Sequence, residues 1–244
     1  MSKSGQSQEP TAFDKMEDGD VVDRSRPSVR PRDAATLILV RRDGPKPRIL
    51  VGKRSNRHDF MPDKYVFPGG RVDPTDARAP SISELQSTVE NILQIKSRRK
   101  PRAFALTAIR ETFEETGLII GQAGETKRGP QNWRPFLEQG ALPCLQNLTL
   151  IGRAITPPYR PKRFDARFFL AEAEDTLLDE RPANTSPELV DIQWVDLDEA
   201  DELDLPSVTR VMVQEIKQRL ESPETAIRPA FLRYSARQNI FERL

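Results

Sequence analysis

Apolar and polar positions alternate along the chain in two rhythms, and their succession predicts a mixed α/β protein. "AATLILVRR" (34–42) is an apolar run of strand length, and "DGPKP" reads as a turn. "RILVGKR" (48–54) then alternates weakly, so the two runs predict a hairpin with a loose connection. "KYVFPGG" predicts a third short strand ending at Pro68 and two glycines. The next stretch, 77–102, places Ile82, Leu85, Val89, Ile92, Leu93 and Ile95 at helical spacing before the basic run "KSRRKPR" (96–102). A second helix over about 103–116 stops at Gly117, the residue type that best accepts the left-handed conformation past a helix end. "LIIG" predicts another strand and "WRPFLEQG" a short helix. Strands return in "LTLIGRAIT" (148–156), "RFDARFFLAEA" (163–173) and "ELVDIQWVD" (188–196). The segment 206–220 carries Val208, Val211, Met212, Ile216 and Leu220 on one stripe, with Pro206 near the helix start.

The first 32 residues are polar and of mixed charge, with too little apolar surface to offset ordering. The expected organisation is a disordered tail (1–32), one α/β domain with a mixed sheet and flanking helices (33–222), and a C-terminal extension (223–244). Charge changes this picture little: 38 basic residues face 37 acidic ones, for a net charge of +1, which by itself predicts neither nucleic-acid nor membrane binding. Cys144 is the only cysteine and His58 the only histidine. That excludes an intramolecular disulfide and argues against a thiolate or multi-histidine metal site. Any metal would be held by carboxylates, which favours a hard ion such as Mg²⁺ or Mn²⁺. The chain shows no apolar run near the ~20 residues of a membrane span and no signal-peptide core at its start, so a cytoplasmic protein is expected.

The candidate chemistry lies in "AIRETFEETG" (108–117). On a helix, Glu111, Glu114 and Glu115 fall within about 100° of one another, opposite Ala105, Leu106, Ile109, Phe113 and Thr116. Like charges at these spacings destabilise a helix by a few tenths of a kcal/mol per pair, and Arg110 can offset part of that. The cluster reads either as a solvated acidic face or as a cation site.

Taken with "FPGGRVDPTD" (67–76), the cluster resembles the box of the Nudix superfamily, G-x5-E-x7-R-E-x-x-E-E-x-G plus an apolar residue. Gly70 begins the pattern, and Arg110, Glu111, Glu114, Glu115, Gly117 and Leu118 complete it. Asp76 stands where the pattern has glutamate, and residues 77–109, 33 in all, stand where it has seven. The box therefore resembles one interrupted by an inserted helix, with 77–102 as the insertion. With "RSNRHDF" before the glycines and "ITPPYRPKRFDARFFLA" after the box, the layout is similar to the acyl-coenzyme A diphosphatase branch.

The resemblance implies a Nudix α/β/α sandwich that hydrolyses the pyrophosphate of a nucleoside diphosphate derivative. It implies Glu111, Glu114, Glu115 and the Gly70 carbonyl as ligands of Mg²⁺ or Mn²⁺, with Arg110 orienting the glutamates. Asp76 is shorter than the glutamate of the pattern, which leaves its role open. Coenzyme A or acyl-CoA would yield 3′,5′-ADP and a 4′-phosphopantetheine product. ADP-ribose, dinucleotides or nucleotide sugars are the alternative substrates, and a nucleotide-sensing module without catalysis is the alternative class. Arg98 and Arg99 are candidates for the 3′-phosphate, and Arg54 and Arg57 for further phosphate contacts. Glu188 and Glu174 are candidate general bases, and His58 a candidate phosphate or proton-transfer group. The partner is a small molecule. No aromatic side chain in the basic run can stack bases, which argues against nucleic acid, and a homodimer is compatible with the sequence.

Overall fold

The computed structural model describes residues 28–56, 61–126, 128–158, 160–223, 225–235 and 238–244. Nine strands form one mixed sheet: β1 (Arg32–Arg41), β2 (Arg48–Arg54), β3 (Tyr65–Val66), β4 (Gly69–Arg71), β7 (Thr149–Ile155), β8 (Phe164–Glu172), β9 (Leu189–Asp196), β10 (Ala230–Ser235) and β11 (Gln238–Arg243). Two short strands, β5 (Gln122–Ala123) and β6 (Ala141–Leu142), pair separately. The helices are α1 (Ser87–Gln94), α2 (Pro101–Thr116), α3 (Arg134–Leu137), α4 (Ala173–Thr176) and α5 (Ser207–Glu221). The main order is β11-β10-β7-β8-β1-β2-β3, with β4 on β1 and β9 on β2. The β1–β8 and β10–β7 pairs are parallel and the others antiparallel.

β1 reads as an unbroken apolar run because both of its faces are covered. Leu37 and Leu39 pack with Phe104, Leu106 and Ile109 of α2, whereas Ile38 and Val40 pack with Val211, Met212 and Ile216 of α5. Helices thus flank both faces of the sheet. Among the described residues no helix is long and apolar enough to cross a membrane.

Three expectations change. The helix expected from 82 onward is only α1: Leu85, Val89 and Leu93 are buried, but Ile82 and Ile95 are 46% and 44% exposed. Before α1 the chain runs extended, because Ser83 bridges Cys144 and its Oγ accepts hydrogen bonds from the Leu145 and Gln146 amides. "LIIG" gives only an isolated bridge, Ile120 to Leu177, ahead of the two-residue β5. Finally, α2 has no solvated acidic face. Residues 103–110 are all buried, as are Thr112, Glu115 and Thr116, leaving Glu114 as its exposed carboxylate. Within 223–244, β10 and β11 join the main sheet, and buried Glu215 of α5 accepts from Arg219 (2.6 Å) and Arg243 (2.5 Å).

Candidate active site

The site forms where β4 and α2 lie against the middle of β1. In the β1–β4 register Ala35 faces Gly70 and Thr36 faces Gly69. Space explains both glycines: a Cβ on Gly69 would sit 2.6 Å from the Ala35 carbonyl oxygen, and one on Gly70 would sit 2.4 Å from the Glu111 carboxyl carbon. α2 begins with Pro101 in its first turn, where a missing N–H does no harm, and ends at Gly117 with φ 73°. Thr112 and Thr116 return their hydroxyls to the carbonyl four residues back, which satisfies them inside a buried helix, whereas Thr107 gives its one hydroxyl hydrogen to Asp76.

Arg110, 6% exposed, is the centre of the charge arrangement. Its Nε and Nη2 donate to Asp76 at 2.9 and 3.1 Å, Nη2 lies 2.9 Å from Glu111 Oε1, and Nη1 donates to Glu114 Oε2 at 2.9 Å. Nη2 also reaches the Arg71 carbonyl at 3.2 Å. Burial works against the guanidinium charge, but the Asp76 hydrogen bonds and the three neighbouring carboxylates leave its pKa raised. Asp76, fully buried, answers the question its short side chain posed. It accepts from Arg110, Thr107 Oγ1 (2.6 Å), Trp133 Nε1 (3.0 Å), Asn132 Nδ2 (3.3 Å) and the Asp73 amide (2.9 Å). It anchors the arginine and holds the ends of the 77–109 excursion together.

Glu115 points the other way and accepts from the Gly69 amide at 2.9 Å. Burial and then the Glu111 charge push its pKa well above the ordinary value, against the pull of the Gly69 N–H. Burial pushes Glu111 up to about 7 despite Arg110, and raises Glu114 as well. Glu188, just before β9, adds negative charge to all three, and its carbonyl is held by the Ser55 amide at 2.9 Å. It lines a cleft of ≈ 700 Å³ with Arg54, Gly69, Gly70, Arg71 and Glu111. Glu174 is engaged elsewhere, accepting from the Arg42 amide.

Of the expected site residues, the structure brings together Gly70, Arg110, Glu111, Glu114, Glu115, Arg54 and Glu188. Arg57 and His58 lie outside the described residues. Arg98 and Arg99 line a neighbouring groove instead, where Arg99 is bound to Asp33 at 3.2 Å. Phe168 and Phe169 are core, and Phe164 lines both the cleft and an apolar slot of ≈ 150 Å³ with Met61, Phe67 and Val208.

Among the described residues no group of three or more Asp, Glu, His or Cys side chains is gathered as a ready-made metal cage. Glu111 and Glu114 rest on Arg110, and Glu115 rests on Gly69. The donor chemistry nevertheless suits a hard divalent cation: clustered carboxylate oxygens, raised in pKa by burial and mutual repulsion, beside a glycine that lets its backbone come close.

No family model matches the chain. Over 179 residues it is 28% identical to nudix hydrolase 7 of Caenorhabditis elegans, covering 68% of this chain and 51% of that protein. It is 27% identical over 221 residues to the acyl-coenzyme A diphosphatase NUDT19 of Gallus gallus, covering 64% and 57%. The chain thus spans about half the length of the curated relatives it matches. The crystal structure of a NUDIX hydrolase from Alicyclobacillus acidocaldarius superposes with a TM-score of 0.60 at 28% identity, over 76% of this chain and 90% of that one. With both halves of the box joined through Arg110 on a sheet shared with that structure, the chain resembles the Nudix superfamily and, within it, the acyl-coenzyme A diphosphatase branch.

Proposed function

We propose that the protein is a divalent-metal-dependent Nudix hydrolase that cleaves the pyrophosphate of coenzyme A or acyl-CoA to 3′,5′-ADP and an (acyl-)4′-phosphopantetheine. The observation that carries the reading is Arg110, which clasps Asp76, Glu111 and Glu114 together while Glu115 reaches the Gly69 amide. Glu111, Glu114, Glu115 and the Gly70 carbonyl would hold Mg²⁺ or Mn²⁺. When bound, the cation supplies charge neutralisation along the diphosphate and Lewis acidity toward water. Cleavage of a phosphoanhydride needs mainly positioning and electrostatics from the protein. Arg54 would hold a phosphate in the cleft. Glu188, fixed there by the Ser55 amide, would take the proton of the attacking water. The apolar slot beside Gly69 and Gly70 would accept the uncharged arm of the substrate, and resemblance to NUDT19 favours coenzyme A over ADP-ribose, dinucleotides or nucleotide sugars. We place the activity in the cytoplasm.

The test is a substrate panel with Mg²⁺ and Mn²⁺, products identified by mass spectrometry, with Glu114→Gln as the control. Release of 3′,5′-ADP from the CoA compounds, reduced by orders of magnitude in the variant, supports the reading. Cleavage of ADP-ribose or a dinucleotide with CoA untouched overturns the substrate. Binding without turnover in both proteins would favour the sensing module.

A further inference from the structure

The groove holding Arg98 and Arg99 opens beside the catalytic cleft and has a volume of ≈ 730 Å³. Three separate segments build it: Arg30–Asp33 entering β1, Arg71–Val72 leaving β4, and Lys96–Arg99 after α1. Six cations line it, Arg30, Arg32, Arg71, Lys96, Arg98 and Arg99, against Asp33 and Asp165.

Both acids are already engaged. Asp165 takes Arg153 through two hydrogen bonds of 2.8 Å and lies 2.7 Å from Arg167, and both arginines are buried. Asp33 takes Arg99 at 3.2 Å and lies 3.7 Å from Arg167. Arg30, Arg32, Arg71 and Arg98 make no ion pair among the described residues, so the groove carries uncompensated positive charge.

Its outer wall is held in place. Arg153 Nη1 donates to the Ile95 carbonyl at 3.1 Å, and Ser97 Oγ accepts from the Arg99 amide at 3.2 Å. Lys96 takes φ 50°, a left-handed conformation that a lysine keeps only where its surroundings impose it. The groove is also continuous with the cleft, since Arg30, Arg32 and Arg71 line both and Arg71 directly follows Gly70. Guanidinium groups match phosphate oxygens in a planar, two-pronged fashion. With no aromatic side chain in its lining, the groove has no platform for stacking bases.

We propose that this groove is a second anion subsite. It selects nucleoside diphosphate derivatives that carry a further phosphate monoester on the nucleoside, and Arg71, Arg32 and Arg98 are its specificity-determining residues rather than Arg99, which is committed to Asp33. The inference rests on the pyrophosphatase reading of the neighbouring cleft.

The test compares substrates that differ by one phosphate. Wild-type kcat/KM should favour CoA over dephospho-CoA by about 10- to 100-fold, the range of one or two charge-assisted hydrogen bonds. In Arg98→Ala and Arg71→Ala that ratio should fall to within about threefold of one, with partial recovery in Arg98→Lys. Because the readout is a ratio, a general loss of activity cancels. Calorimetric binding of 3′,5′-ADP and of AMP to the wild type and to Arg98→Ala reads the groove without hydrolysis. If CoA is not cleaved but 3′,5′-ADP still binds about tenfold or more tighter than AMP in an Arg98-dependent way, the substrate reading fails and the subsite stands. Equal binding of the two nucleotides, or a CoA preference that survives both alanine variants, overturns the subsite.

Discussion

Replacing Asp76 with asparagine tests the charge arrangement without touching a box glutamate. The carboxylate has no solvent exposure and accepts six hydrogen bonds, three on each oxygen. An asparagine of the same size would turn one of those oxygens into a donor. With Nδ2 in place of Oδ1, it would face Arg110 Nε, Asn132 Nδ2 and Trp133 Nε1. In place of Oδ2, it would face the Asp73 amide, Arg110 Nη2 and the Thr107 hydroxyl, of which only the hydroxyl can rotate away. Either way at least two buried donors lose their acceptor and Arg110 loses a full counter-charge. Breaking a buried ion pair from one side costs about 3–5 kcal/mol. For a domain of this size each kcal/mol shifts Tm by about 2–4 °C, so a fall of roughly 10 °C is expected. Differential scanning calorimetry of wild type and variant reads it directly. At a temperature where both are folded, kcat should also fall, because Arg110 no longer holds Glu111 and Glu114 in place. A Tm within about 2 °C of wild type would refute the reasoning.

Two further outcomes follow from the same site. Gly70→Ala should leave the protein folded, with unchanged far-UV circular dichroism, and abolish most turnover, since the new methyl would occupy the space of the Glu111 carboxylate; normal activity in that variant would show that Glu111 can move without consequence. In metal-free protein Glu111 has a folded pKa near 7 against 4.5 for the free side chain, so the folded state holds the extra proton between those values and stability falls as pH rises through that window. The shift corresponds to about 3 kcal/mol at most. Glu111→Gln should therefore raise the Tm of chelator-treated protein at pH 8 and leave it nearly unchanged at pH 4.5, and a lower Tm at pH 8 would contradict the cost assigned to burying the Glu111 charge.

The parts of this molecule that were legible in its sequence are those set by local rules. β1 is apolar at consecutive positions because two helical layers cover it, and α2 ends where Gly117 supplies the left-handed residue. The pairing of Arg110 with Glu114 followed from their spacing on one helix. The role of Asp76 did not, because its partners Thr107, Asn132 and Trp133 come from other segments and no spacing rule links them. Glu188 enters the site only through the β2–β9 pairing, a long-range contact. Helical periodicity overran α1 at Ile82 and Ile95, since Ser83 was drawn instead to Cys144 and the amides after it. The final strands had a signal that was missed: "AFLRYS" and "QNIFER" stand two residues apart, the spacing of a hairpin.

The Asp76–Arg110 clasp also separates distance along the chain from distance at the site. Stretching the gap from seven residues to 33 raises the entropy of loop closure by only about 1.4 kcal/mol, because that cost grows with the logarithm of length. Burying the Leu85, Val89 and Leu93 side chains against the core returns roughly 1.5–3 kcal/mol each. Growth of the chain at this point is therefore thermodynamically permitted, and a lineage could lengthen or shorten the excursion while the two ends of the box stay joined.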